Sequence, residues 1–313
     1  MAGAVAAYTG NGAYCFSNAL HMSLLAAGAD PLALPETWFV ECLTAMPFGR
    51  VFDADGPRFW INASGWSPER RGLPLAVEAL GWRCETWHGG SAEEASARLR
   101  EALARGPAML GPLDFGYLSH HRGAAAMAGF DHYVTGLALT DEGLLLHDPA
   151  GAPYAVLPVP DLLDAWRADR IGWKLGPYTL RSHFERERSP TREEMIARAL
   201  PAVRANVHRE PARPGSASGH RALRALAGAV RGGPPEALER HLVVFLLPTA
   251  ARRSVDAARF LAEAGLPAAA AAMGEEAELW GRSCSAASRR DWARAGDLLQ
   301  QLADAEQELV AAL

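Results

Sequence analysis

Tyr8-Thr9-Gly10-Asn11-Gly12-Ala13-Tyr14-Cys15-Phe16-Ser17-Asn18-Ala19-Leu20 is the stretch on which the fold is decided. A loop with two glycines runs into a cysteine, and a helix starts there. Phe16, Leu20 and Leu24 recur at i, i+4 and i+8, and Gly28 is placed to end the run. That pattern predicts a helix over residues 16–27. The first amides of a helix lack intrahelical acceptors and carry partial positive charge. They favour a thiolate over a thiol and offer donors to an oxyanion formed in acyl transfer. Cys15 is therefore the candidate nucleophile, and Asn11 is a candidate second oxyanion donor from the loop. The plain alternative is a small buried cysteine that only packs.

A cysteine nucleophile needs a base, and the base needs an acceptor that orients it. Both residue types occur further along the chain. Ala108 to Leu113 reads as a buried strand after the helix Ser91–Arg105 and its stop, Gly106-Pro107. Tyr133 to Leu139 is rich in apolar and β-branched residues. The turn Asp141-Glu142-Gly143 follows, and Leu144-Leu145-Leu146-His147 returns, so a β-hairpin is predicted. His132 opens its first strand and Asp148, before Pro149, ends its second, 16 residues later. With the turn near Glu142 the two are not directly opposite, and a bulge, twist or bend must close the gap. His147 is a rival base, but strand alternation points it away from Asp148. Taken singly, His132 reads equally as a structural histidine and Asp148 as a turn former.

Outward from these segments the composition changes. All six tyrosines and seven of the nine tryptophans precede residue 181, whereas the chain after about Pro190 is dominated by Ala, Leu, Arg and Glu. This predicts a mixed α and β first part and a helical second part. Glu185-Arg186-Glu187-Arg188-Ser189-Pro190 is the charged junction, and Thr191 with Glu193 and Glu194 reads as a helix start. Glu210 to Gly219, with two prolines, two glycines and two serines, reads as a mobile loop. At roughly 150 residues per domain, 313 residues make about two.

The order loop–Cys–helix, Asp131-His132-Tyr133-Val134, then His147-Asp148-Pro149 is similar to that of papain-like cysteine enzymes. More closely, the first 180 residues resemble the N-terminal domain of the butirosin biosynthesis acyltransferase family. The stretches that carry this are Tyr8 to Leu20, Gly111-Pro112-Leu113-Asp114-Phe115-Gly116-Tyr117-Leu118, and the two just quoted. The second half resembles the helical domain that often follows. The resemblance implies a papain-like α+β catalytic domain over residues 1–182 and an α-helical domain over 190–313. It implies Cys15 as nucleophile, His132 as base and Asp148 as orienter. It also implies an acyl or aminoacyl group moved from a thioester donor, an acyl carrier protein or a small thioester, to an amine-bearing small molecule in antibiotic-type biosynthesis. Neither cofactor nor metal is expected. One departure is that no glutamine precedes the cysteine, where papain-like enzymes usually place an oxyanion donor, so Asn11 is the substitute. A peptide or amide hydrolase and an inactive binding scaffold are the alternatives.

Asp114 and Tyr117 are candidates for an acceptor pocket, or else a turn residue and a core aromatic. Adjacent His120 and His121 have poor geometry for one shared metal, with no evident third ligand, and read as solvated loop residues. Cys42, Cys84, Trp60, Trp66, Trp82 and Trp87 read as core or pocket wall. Arg252, Arg253, Arg289 and Arg290 are either a docking face for an acidic carrier or a solvated helix surface. A net charge of −5 speaks against a dedicated nucleic-acid binder. The longest apolar run, Leu242 to Leu247, is far short of the roughly 18 residues a membrane span needs. The N-terminus lacks the basic and long apolar regions of a signal peptide. Four scattered cysteines give no disulfide or zinc framework, and a reducing cytoplasm is the default setting.

Overall fold

Capping chemistry starts two helices where the sequence places them. Ser91 and Glu94 exchange hydrogen bonds in a capping box, and so do Thr191 and Glu194. A computed structural model describes residues 7–53 and 58–313. Its helices are α1 (Cys15–Ala26), α2 (Thr37–Leu43), α3 (Leu73–Ala79), α4 (Ala92–Arg105), α5 (Val159–Arg167), α6 (Arg192–Val207), α7 (Gly219–Arg231), α8 (Glu236–His241), α9 (Leu247–Glu263), α10 (Pro267–Ser288) and α11 (Trp292–Ala312). Its strands are β1 (Val51–Asp53), β2 (Arg58–Trp60), β3 (Trp82–Trp87), β4 (Ala108–Asp114), β5 (Asp131–Thr140), β6 (Gly143–Asp148), β7 (Ala152–Leu157), β8 (Leu180–Arg186) and β9 (Ser216–Ser218). The chain is thus mixed α and β with a helical C-terminal region. The N-terminal segment assessed for a signal peptide lies largely outside the described residues.

Two compact units divide the chain, residues 1–40 with 68–190, and residues 41–67 with 191–313. The first holds an antiparallel sheet of order β3-β8-β4-β5-β6-β7. Its apolar side gathers Leu99 of α4, Leu110 of β4, Val134 of β5, Leu144 and Leu146 of β6, and Leu162 and Trp166 of α5. Every residue of β4 is buried, which explains why it reads as an apolar run rather than an alternation. The predicted hairpin is β5–β6, and its third partner β7 went unread. Tyr154 within β7 is exposed and Ala152 and Pro153 begin it, so it lacks an apolar alternation.

In the second unit α7, α9, α10 and α11 enclose Leu226, Leu279, Trp280, Leu299 and Leu302. Residues 41–67, which the sequence reading put in the first domain, cluster with these helices instead. Buried side chains hold them. Arg50 pairs with Glu276 at 2.6 Å and Glu306 at 3.6 Å, and Glu41 pairs with Arg253. Such pairs join residues more than 200 positions apart and have no local signature. The 210–219 segment is also more ordered than a mobile loop. Its Ser216–Ser218 is β9, paired with β1, and Ala212 donates its amide to Ser64 Oγ. Among the described residues, no helix is long and apolar enough to cross a membrane.

Candidate active site

A one-residue bulge decides which side chains of the hairpin meet. Near the turn, Thr140 pairs with Gly143, Leu139 with Leu144 and Ala138 with Leu145. Beyond a shift between Gly136 and Ala138, Gly136 pairs with Leu146 and Thr135 with His147. Continued by one step, this register sets Val134 opposite Asp148, and His132 shares Val134's face. Without the bulge Asp148 would oppose Thr135, and His132 would lie on the wrong face. The extra residue makes Asp148 a diagonal neighbour of His132, and their side chains touch at 2.6 Å, Nε2 to Oδ1.

Asp148 has no exposed surface, and its carboxylate is ringed by donors. His132 Nε2–H and the Ala150 amide donate to Oδ1, the latter at 2.7 Å. His120 and His121 donate from Nε2 to Oδ2 at 2.8 and 2.9 Å. Burial by itself pushes the carboxyl pKa up. The His132 charge and the three histidine hydrogen bonds outweigh it and hold Asp148 well below the usual carboxylate range. In the neutral ring, with Nε2 donating to Asp148, Nδ1 is the atom left to act as a base. Phe115 braces the ring edge-on at 4.9 Å and stacks on His121 at 5.1 Å.

Cys15 is the first residue of α1, entered through Tyr14 in the left-handed region at φ 55°. A buried, non-glycine residue held there stores backbone strain and makes the sharp turn that starts the helix at the cysteine. The loop before it is stitched to the turn after Asp148. Gly12 donates its amide to Pro149 O at 3.0 Å, Tyr8 donates its hydroxyl to Asp148 O at 2.8 Å, and Gly151 donates its amide to Tyr8 Oη. At the start of β5, Phe16 meets Tyr133 edge-on at 5.9 Å, and Thr135 donates to Ala19 O. Tyr133 is itself pinned by donating to Glu69, which Arg181 also holds. His132 and Asp148 are thus in direct contact. Cys15 is brought to the same end of the hairpin by its loop and helix, and Nε2 of the His132 ring is hydrogen-bonded to Asp148.

Asn11 and Asn18 exchange amide hydrogen bonds, and Asn11 Nδ2 also lies 3.4 Å from Thr37 Oγ1, so its side chain braces the loop. Asp114 is spent inside the fold. Its Oδ1 accepts the Gly116 and Gly129 amides, and its Oδ2 lies 3.4 Å from Arg170. That is the turn-residue reading, not the acceptor-pocket one. Tyr117 lies under the Arg170 guanidinium, 5.5 Å from its ring centre. His147 Nδ1 accepts the Tyr154 amide in a buried setting, away from Asp148 as alternation requires. Arg253 is buried against Glu41 and Ile61 O, and so leaves the proposed docking face. An open cleft of about 410 Å³ is lined by Trp87, His88, Glu94 and Arg98, so Trp87 is pocket wall, and its lining includes none of Cys15, His132 and Asp148.

His120 and His121 belong to the Asp148 cluster, which their reading as solvated loop residues did not foresee. Far from being solvated, both side chains are largely buried and converge on Asp148. Two adjacent histidines show no periodicity, and their shared acceptor lies 27 residues or more away in sequence. Only their position on a loop shortly before His132 hinted at the site.

Residues 212–313 match the family described as the YobF C-terminal domain. The chain is also similar to the uncharacterized protein YobF of Bacillus subtilis (strain 168), with 28% identity over 301 residues. The match covers 96% of this chain and 95% of that protein. That similarity spans both units.

Proposed function

We propose that the chain is a cysteine-dependent acyltransferase of papain-like type. In this reading Cys15 takes an acyl or aminoacyl group from a thioester and passes it to an amine. The observation that carries it is the buried Asp148–His132 pair at the hairpin end to which the Cys15 loop is stitched. Support for the finer fold comes from the order of parts, a cysteine opening a helix, a histidine opening a strand and an aspartate closing the next.

His132 Nδ1 takes the Cys15 thiol proton. The thiolate attacks the donor carbonyl, and the positive end of α1 faces the charge that develops on its oxygen. Collapse breaks the carbon–sulfur bond to the donor, whose thiol leaves with the proton from His132. The amine then attacks the Cys15 thioester, and His132 accepts its proton and returns it to the departing Cys15 sulfur. Asp148 keeps Nε2 protonated and steadies the imidazolium in between. An acyl carrier protein is the larger donor this reading names, and a specialised small-molecule amine is the acceptor.

The test is intact-mass spectrometry after incubation with an acyl thioester of a small thiol. One acyl group should be added to the chain and none to Cys15→Ala. Added amine should discharge it as an amide. Discharge to free acid at the same rate with and without amine would assign hydrolysis instead. No adduct at any donor tried, with Cys15 no more reactive than Cys42, Cys84 or Cys284, would end the reading. Burial pushes those three thiols up, which makes them the internal control.

A further inference from the structure

We propose that His120, His121 and Asp148 form a reversible binding site for a divalent d-block cation of the zinc type. Their ligand atoms lie within 4.8 Å of one another. Both imidazoles already aim Nε2 at the same oxygen, Asp148 Oδ2, at 2.8 and 2.9 Å. Zinc bonds of about 2.0–2.1 Å in a tetrahedron set ligand atoms about 3.3 Å apart. The two N···O edges therefore need to open by about half an ångström, and the N···N edge lies within 4.8 Å. Both histidines sit on the loop between β4 and β5, where such a shift breaks no strand pairing.

The donor set selects the cation. Two imidazole nitrogens and one carboxylate oxygen suit zinc, cobalt or nickel, with a fourth position for water. Calcium and magnesium want oxygen ligands and are disfavoured. The outer shell is in place as well. Oδ1 of Asp148 keeps the His132 and Ala150 hydrogen bonds, which fix the carboxylate plane, and the His121 ring is fixed by its stack on Phe115.

Binding also has a cost that sets its strength. Each neutral imidazole must give its Nε2 lone pair to the ion, so its hydrogen moves to Nδ1. In His120 that atom is buried and has no hydrogen-bond partner among the described residues. This separates the site from a tight structural zinc centre and makes it exchangeable. The site stands whether or not acyl transfer is the activity. If it is, an ion on Oδ2 draws charge from the carboxylate that orients His132, and occupancy slows the reaction.

The experiment is a cobalt(II) titration of the untagged full chain, read by its visible ligand-field absorption. A band that saturates at one ion per chain and is bleached by zinc is expected. His121→Phe, which keeps the stack on Phe115, and His120→Asn should each weaken cobalt binding at least about tenfold, the loss that even an outer-shell partner brings. Cys15→Ser should leave the band unchanged. Circular dichroism checks each variant, and His121→Gln replaces any that does not fold. Absence of a saturable band overturns the site. So does a band that survives both histidine changes, or one that is lost with Cys15, which would put the ion on the thiolate.

Discussion

Asp148 and Glu276 are both carboxylates without exposed surface, yet they are driven in opposite directions. Asp148 sits among three imidazoles and a backbone amide and is held low. Glu276 shares one guanidinium, Arg50, with a second carboxylate, Glu306. Burial first, and then the Glu306 charge, push it well above the ordinary range, with Arg50 opposing. Burial is common to both, so donors per carboxylate decide the sign. The partners differ in kind too. An arginine is a fixed charge that welds helices, whereas histidines can gain, lose or relocate a proton or accept a metal. The Arg50 cluster therefore has a fixed positive charge at its centre, whereas the Asp148 cluster is made of groups of a changeable kind.

The largest effect should come from breaking the changeable cluster. His132→Ala is expected to lower the rate of Cys15 acylation by about 10² to 10⁴-fold, the range for a lost general base. Asp148→Asn should be intermediate. Its amide oxygen can take the Oδ1 place and still orient His132, but its NH₂ then faces the His120 and His121 donors. Acylation rates by mass spectrometry on folded variants check both. An unimpaired His132→Ala protein would reassign the base.

In the fixed cluster the cost should appear in stability. Arg50→Met leaves Glu306 buried without its cation, and frees the Pro47 and Gly49 carbonyls. A loss of about 3–5 kcal/mol in urea unfolding is expected. Glu276→Gln, already biased to the neutral form, should cost less than about 1 kcal/mol. Equal losses for the two would mean that Glu276 is charged, and that the contrast with Asp148 fails.

A third buried ionisable group sharpens the comparison from the α1 side. His21 is buried beside Thr9, and burial pulls its pKa down to about 4. The unfolded chain, with an ordinary value near 6.5, binds the proton first as pH falls. Stability from this residue is therefore complete above about pH 6.5 and is lost progressively down to about pH 4, by up to about 3 kcal/mol. Unfolding free energies across that window, compared with His21→Gln, should show the difference in slope. Identical slopes would place His21 in contact with water.

Much of the scaffold was legible because its signals are local. The α1 stripe, the capping boxes at Ser91 and Thr191, and the turn between β5 and β6 each lie within a few residues and depend on short-range periodicity and capping. The identities of Cys15, His132 and Asp148 stood out because their residue types adjoin element ends. Their meeting was another matter, since it hangs on the Gly136/Ala138 bulge, which has no letter of its own in the sequence.

By itself, then, the sequence determined where α1, α4 and α6 begin, where β4 and the β5–β6 hairpin run, and that the second half is helical. Period, cap and turn chemistry act over one or two turns of chain. Only the tertiary structure decided that residues 41–67 pack with the C-terminal helices through Arg50 and Glu41. Only it turned Asp114 inward, buried Arg253, and folded His120 and His121 onto Asp148. Those outcomes depend on which distant groups share a buried space. There a polar atom must find a partner wherever the fold supplies one, and nothing in its own stretch of chain says where that is.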